Sequence, residues 1–400
     1  MDFTTNRIVQ KIQGMDIRLA ALVVQFLVSL AFSLMGSFLP LFIETDLNYP
    51  LIEATYWTGI AQLISSSLYA FTAPFWGTMC DRAGIRKITV MILVANGIVY
   101  AGMAGSTDIP HILLFRALQG SFGGVSTTMF TLVAAVVPEN EMKKALSYQM
   151  AMMTMGSLVG PGVGGLLAEV VGYRLTFVAS SLLFVAVIPL MLFINVPPPA
   201  KRDGETTGLN LRDLRDVLPD IVSLVMVYAC ISFITPTIPW FLKSLGVQDD
   251  QLLTYTAAST ILNGAAFVVA TPLLTRVVTD RFLPLLSTIA AGAIFATGFA
   301  ADAYQFIGLR IAIGAIQSGI PPSLLGGRAS KKRGAVMGFL NSARFLGMAV
   351  GPFMATSILG GGEPPGPLMM FVAMAGLSLV TSLVLYLSHG RKSGLTAMPR

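Results

Sequence analysis

An all-α membrane protein with twelve transmembrane helices in two pseudo-symmetric six-helix halves is the fold class that this sequence predicts, and three observations predict it. Of its 400 residues, 54% are hydrophobic and only 12% charged, against the roughly 25% charged of a soluble domain. Mean hydropathy is +0.74, and twelve crossings of about 20 residues each would use roughly 240 residues and leave only short connectors. The third observation is an internal repeat that relates the two halves of the chain. Large aqueous domains are excluded.

Apolar runs bounded by charged or Gly/Pro-rich breaks place the spans at about 19–43, 55–79, 88–107, 109–137, 145–168, 175–196, 220–242, 254–278, 282–301, 304–327, 335–359 and 367–388. The first run, from Leu19 to Ile43, is too long for a signal peptide and lacks a small-residue cleavage site, so it is read as span 1. The longest break carries Pro197, Pro198 and Pro199 with Lys201, Arg202, Arg212 and Arg215. It divides the chain into an N-terminal half at 1–196, a cytoplasmic linker at 197–217 and a C-terminal half at 218–400. With the N terminus inside, the cytoplasmic segments hold 21 of the 26 Lys and Arg, and the opposite loops hold Arg174 and Lys243. This bias sets a multi-pass protein of the cytoplasmic (inner) membrane with both termini in the cytoplasm. The net charge of +6 thus orients spans, and no nucleic-acid partner is expected. Cys80 and Cys230 have no CxxC or His partner nearby, so neither a metal site nor a disulfide framework is indicated.

The repeat is visible in four matches in order. Ser33, Pro40 and Phe42 of span 1 recur as Ser232, Pro239 and Phe241 of span 7, and Pro74 of span 2 recurs as Pro272 of span 8. Arg116 and Gly120 of span 4 recur as Arg310 and Gly314 of span 10. Gly156, Gly160 and Pro161 of span 5 recur as Gly347, Gly351 and Pro352 of span 11. Parallel halves related by an axis along the membrane normal place a solute site between them at mid-membrane.

Three motifs sit in corresponding places. The turn between spans 2 and 3 reads Gly77-Thr78-Met79-Cys80-Asp81-Arg82-Ala83-Gly84-Ile85-Arg86-Lys87. A basic inside loop needs neither the aspartate nor the two glycines for topology. The turn resembles the GxxxDRxGxRK signature loop of the major facilitator superfamily, and the resemblance implies that Gly77, Asp81, Arg82, Gly84, Arg86 and Lys87 latch the halves on the cytoplasmic side. There the acid would face a helix N terminus, where the macrodipole favours negative charge. Arg116-Ala117-Leu118-Gln119-Gly120 in span 4 resembles the RxxQG motif, whose arginine is associated with proton-coupled members. Snorkelling competes, since Arg116 is about 10 Å from the outer end of its span at helical rise. Gly156-Ser157-Leu158-Val159-Gly160-Pro161-Gly162-Val163-Gly164-Gly165 in span 5 resembles the GxxxGPxxGG signature of exporting antiporters. Small residues allow close helix approach, and Pro161 removes a backbone hydrogen bond and permits a gating kink. Gly156, Gly160, Pro161 and Gly164, with Gly347, Gly351 and Pro352, are therefore the candidate gate. Over the whole chain the likeness is closest to twelve-span drug:proton antiporters.

One departure bears on mechanism. All 20 Asp and Glu can be assigned to loops or span ends, whereas many cation-exporting relatives carry a membrane-embedded acid. Proton coupling would then use an edge acid such as Glu44, Asp46 or Glu53, or travel with the substrate. Gln25, Gln62, Gln119, Gln149, Asn263, Gln317 and Asn341 are the polar candidates for the cavity wall, with Tyr228, Trp240 and Phe345 as aromatic walls. Helix-to-helix hydrogen bonding is the competing role for each amide. Arg344, about 14 Å from the inner end of span 11, is the arginine least able to snorkel. Together with Arg310 it is the candidate for a negatively charged substrate group. The function expected is secondary active export of an amphiphilic small molecule (drug, siderophore or organic anion) by alternating access, in exchange for protons. The alternatives are an organic-anion importer or exchanger of the same fold and a non-transporting receptor. No covalent chemistry, cofactor or metal is expected, and no GxxxxGK[ST] loop is present. The partners expected are a small-molecule substrate, protons and the lipid bilayer, with the chain acting as a monomer.

Overall fold

The computed structural model describes residues 16–36, 38–194, 211–278, 280–321, 324, 333–360 and 367–387, and every regular element among them is helical. Among the described residues eight helices are long and apolar enough to cross a membrane, and they occupy the predicted positions of spans 1, 3, 5, 6, 7, 8, 11 and 12. The other four positions hold Leu51–Ala83 (span 2), the pair Ile109–Ser121 and Val125–Val136 (span 4), Leu283–Thr297 (span 9) and Ala303–Gln317 (span 10). Buried Thr55, Thr58 and Ser65 dilute the apolar character of span 2, and breaks shorten the helices of spans 4 and 10.

Spans 1 and 7 are broken in the same way. Span 1 runs Ile17–Ser33, tightens into a 3-10 turn at Leu34–Gly36 and resumes as Leu39–Thr45. Span 7 runs Leu211–Ser232, tightens at Thr235–Thr237 and resumes as Ile238–Ser244. Pro40 and Pro239 stand in the first turns of the resumed helices, where a missing N–H costs nothing. Before each break a serine hydroxyl donates to the carbonyl four residues back, Ser33 to Ser29 and Ser232 to Tyr228, both at 2.7 Å. Asp108 and Asp302 cap spans 4 and 10 identically, each carboxylate accepting from the backbone N–H three residues on.

Two expectations are corrected. Span 4, read as continuous over 109–137, breaks at Phe122 to Gly124, where two consecutive glycines weaken the helix and let the rings of Tyr69 and Trp76 pack against the backbone. Carbonyls at the break are satisfied from neighbouring spans: Thr72 donates to Gly120, Trp76 Nε1 to Ser121 and Asn96 Nδ2 to Phe122. Broken backbone at membrane depth survives only with such partners. The helix of span 7 begins at Leu211, inside the segment read as linker, because Leu211, Leu214, Val217 and Leu218 already follow helical spacing.

The remaining spans are Ile85–Ala104 (span 3), Glu139–Val171 (span 5), Tyr173–Phe193 (span 6), Asp249–Val277 (span 8), Arg333–Gly360 (span 11) and Pro367–Leu385 (span 12). Helix pairing repeats between the halves: span 1 packs on 5 as 7 does on 11, span 2 on 4 as 8 on 10, and span 3 on 6 as 9 on 12. The halves meet through span 2 against span 11 and span 5 against span 8, two seams that the repeat makes equivalent.

Candidate functional site

Gly84 is both the C-cap of span 2 and the N-cap of span 3, with φ 90° and ψ 139°. This backbone is open only to glycine at low cost, so the second glycine of the turn is required by geometry. Arg86 donates to the carbonyl of Ile194 at the end of span 6, bracing the N-terminal half internally rather than reaching the other half. Arg82 and Lys87 are exposed. A Cβ at Gly77 would make ordinary contact with Thr127, at 3.5 Å. The side chains of Asp81 and Asn341 lie outside the described residues.

Arg116 does not snorkel. It is 4% exposed, donates to Gln119 Oε1 at 3.0 Å and to Gln62 Oε1 at 3.3 Å, and thereby ties span 4 to span 2. Gln119 donates on to the Tyr100 hydroxyl, which donates to the carbonyl of Phe32 beside the break in span 1. Gln62 donates to Ser66, one turn along the same face. Gly120 lies so close to Ser65 that a Cβ would overlap its backbone. In the other half Arg310 is equally buried, and Asn263 Nδ2 donates to the Arg310 carbonyl at 2.6 Å. Gln62, Gln119 and Asn263, expected at the cavity wall, thus have amide groups engaged between helices. Gln317 is buried at the end of the span 10 helix.

Gly156, Gly160 and Gly164 form a seam on span 1, where a Cβ would meet Phe26 O at 2.6 Å, or overlap Ser33 Oγ and Leu34 O. Pro161 lies inside this helix, and Pro352 inside span 11. Gly347 and Gly351 seat span 11 on Val225, Tyr228 and Ala229 of span 7 in the same manner. The opposite face of span 5 meets span 8, with Leu158 against Gly264 and Gly162 against Ile261.

At the middle level two groups face each other across the halves. On the N-terminal side Gln25 donates to Ser29 and Ser126, both at 2.9 Å, and Gln149 donates to the Ala21 carbonyl at 3.1 Å. Gln25 and Gln149 therefore also hold helices together, and both are fully buried. Next to Ser126 stands Tyr69 of span 2, whose ring stacks on Phe345 of span 11 with centroids 3.8 Å apart. On the C-terminal side the Arg344 guanidinium lies 5.2 Å from the Tyr228 ring centroid and 5.7 Å from that of Phe345. Among the site residues expected from sequence, the structure gathers Arg344, Tyr228 and Phe345. Trp240 sits on the short outer helix of span 7, twelve residues beyond Tyr228. Tyr69 and Ser126 complete the group. Tyr69 shares a helical face with Gln62 and Ser66, a signal that names the face without naming what it meets.

The outer ends are joined across the halves by Glu44 with Lys243 at 3.4 Å and by Thr254 donating to Glu169 at 2.7 Å. Lys243 also pairs with Asp249 at 2.9 Å. Two further acids expected as proton carriers are engaged within the N-terminal half: Asp46 with Arg174 at 2.9 Å, and Glu53 accepting from Trp57 at 3.3 Å. Asp220, read as a span-end acid, is 3% exposed, because its helix begins nine residues earlier than the predicted span. At the inner ends of spans 1, 4 and 5, a cavity of about 290 Å³ is lined by Arg18, Leu22, Val133, Glu141 and Tyr148. It lies apart from the Arg344 group.

The model of the Major Facilitator Superfamily matches residues 21–281 and 220–398. A multidrug resistance protein MdtG of Dickeya zeae (strain Ech586) is 25% identical over 383 residues, 92% of this chain and 93% of the relative. The protein of the same name from Proteus mirabilis (strain HI4320) is 25% identical over 348 residues, 83% of this chain and 86% of the relative. Among solved structures, a D-xylose-proton symporter superposes with a TM-score of 0.73 at 14% identity, covering 92% of this chain and 96% of that one. The human organic anion transporter MFSD10 (TETRAN) superposes with a TM-score of 0.70 at 17% identity, covering 92% and 98%.

Proposed function

This chain belongs to the Major Facilitator Superfamily, and from that premise we propose that it is a secondary active exporter of an amphiphilic small molecule, exchanged for protons across the cytoplasmic membrane with both termini inside. The observation that carries the reading is the contrast between two kinds of contact. Inside each half, glycines spaced along spans 5 and 11 seat whole helices on one another, while between the halves the close contacts are isolated ones, Gly59 on Thr356, Gly162 on Ile261 and Gly264 on Leu158, and the outer ends are joined by polar pairs such as Glu44 with Lys243, whose side chains are 22% and 42% exposed. Exposed pairs contribute about 0 to 1 kcal/mol, so these pairs add little to the cost of opening the outer face. Export rather than import is supported by the span 5 pattern and by the relatives' name, multidrug resistance protein.

The test uses inside-out membrane vesicles whose lumen is acidified and monitored with an acridine dye, challenged in turn with antibiotics, siderophores and organic acids. The expected result is that a substrate relieves quenching only in vesicles carrying the protein and accumulates inside them. Movement of that substrate out of the vesicles, or accumulation with the gradient unaffected, would overturn exchange-driven export. The runner-up, an organic-anion importer or exchanger, is favoured by Arg344 and predicts the outward movement.

A further inference from the structure

We propose that Arg344, with Tyr69, Tyr228 and Phe345, forms the site for the charged group of an organic anion whose remainder is flat and apolar. This deepens the exporter reading and rests on it for the direction of movement, though not for binding. The placement comes first. Span 11 runs over 28 residues, about 42 Å at helical rise, and Arg344 lies within about 4 Å of its midpoint. At that depth an arginine costs roughly 3 kcal/mol on insertion scales, and it is 4% exposed.

The partners of the guanidinium are aromatic faces rather than acceptors. Tyr228 and Phe345 flank it, which favours the cation without satisfying its N–H groups. Nε and Nη1 have no hydrogen-bond acceptor among the described residues, and no described carboxylate pairs with it. Buried donors of this kind need a partner from outside the protein chain, whether water, an ion or a ligand. Arg116 and Arg310 differ in degree: each leaves Nε without an acceptor, but the terminal nitrogens of Arg116 are bonded to Gln119 and Gln62, whereas in Arg344 Nη1 is unmet as well.

The repeat shows that the fold does not need this arginine. At the offset relating Gly156 to Gly347, the counterpart of Arg344 is Met153, buried at 2% on the same face of span 5. The counterpart of Tyr228, at the offset relating Ser33 to Ser232, is Ser29. One half therefore achieves the same packing with a thioether and a hydroxyl, and only the other carries a cation between rings. Tyr69 closes the group from the opposite half, with its ring on Phe345 and its hydroxyl near both Ser126 and Arg344. A carboxylate at Arg344 would accept from the unmet donors, and an aromatic or planar body would replace the Tyr69 ring against Phe345. Such an occupant touches both halves, as a substrate that couples binding to their movement must.

The test measures equilibrium binding to detergent-solubilised full-length protein, without any gradient, using three probes of one shape: 2-naphthoate, 2-naphthamide and 2-naphthylmethylammonium. The wild type is expected to bind the carboxylate at least tenfold more tightly than the amide, and the ammonium most weakly. Arg344→Gln should reduce the carboxylate-to-amide ratio to about one while the amide still binds, which shows that the variant is folded. Arg344→Lys should keep part of the preference, since the ammonium retains charge and loses the fork geometry. Equal affinity for carboxylate and amide in the wild type, preference for the ammonium, binding of none of the three, or a preference surviving Arg344→Gln would each overturn the proposal. An anion preference in a protein that fails the vesicle assay would leave this site standing and remove the exporter reading instead.

Discussion

Tyr69 of span 2 and Phe345 of span 11 stack at 25° with their ring centroids 3.8 Å apart, and this pair joins the two halves at the level of Arg344. Just beside it Ser342 donates to the Ala70 carbonyl at 3.2 Å. A stacked pair contributes about 0.5 to 1.5 kcal/mol beyond its buried area. Phe345→Leu should therefore shift the population toward states in which spans 2 and 11 part, by up to about tenfold. Spin labels on the outer ends of these spans would show a longer-distance component growing at the expense of the short one. An unchanged distribution would mean that the stack does not help hold the halves.

Glycine is required in the span 5 seam for close approach alone. A methyl at Gly164 would overlap the Leu34 carbonyl oxygen, whereas one at Gly308 in span 10 would meet nothing within 4 Å. Gly164→Ala should destabilise the protein by about 1 to 3 kcal/mol, the usual cost of overpacking. Gly308→Ala should be neutral or slightly stabilising, as alanine is the better helix former. Thermal unfolding of the two variants side by side separates a specific seam from a general intolerance of substitution.

The turn carrying the superfamily signature makes a different demand. No atom lies within 4 Å of a Cβ built on Gly84, so the cost of Gly84→Ala is conformational, about 1 to 3 kcal/mol at φ 90° and ψ 139°. Asparagine would not relieve it, because this ψ falls outside the left-handed helical region that asparagine tolerates. Both variants should lower the melting temperature and leave substrate affinity in the surviving folded fraction unchanged.

Removing Arg116 should be felt in stability as well as in transport. Arg116→Gln leaves Gln62 Oε1 and Gln119 Oε1 short of their donor in a buried setting, and an unsatisfied buried acceptor costs about 1 to 3 kcal/mol. Arg116→Gln combined with Gln119→Leu should cost less than the sum of the separate changes, since the two share one interaction. Additive losses in melting experiments would show that the network does not act as a unit.

The repeat was legible from the sequence because it rests on residues whose roles are local. Serines bonding the preceding turn, prolines opening a helix and glycines on one face do the same work in either half, and Ser33 with Ser232 and Gly156 with Gly347 do so in the structure. What depends on a distant partner was not legible. The rings that pack against the break in span 4 belong to Tyr69 and Trp76, some fifty residues earlier in the chain. Gln62 faces Arg116 across two spans, and nothing in the periodicity distinguishes an amide that meets another helix from one that meets a cavity. Arg344 was legible for the converse reason: its depth in span 11 already implied an unusual partner, and the rings of Tyr228 and Phe345 are residues the sequence had named.

Glu44 and Lys243 provide the most direct test of alternating access through an opening outer face. Glu44→Cys with Lys243→Cys can be bridged by a short bifunctional thiol reagent, and the native Cys80 and Cys230 are both buried. The account predicts that bridging abolishes transport in proteoliposomes, that cleaving the bridge restores it, and that 2-naphthoate still binds the bridged protein. Transport by the bridged protein at the unbridged rate would contradict it.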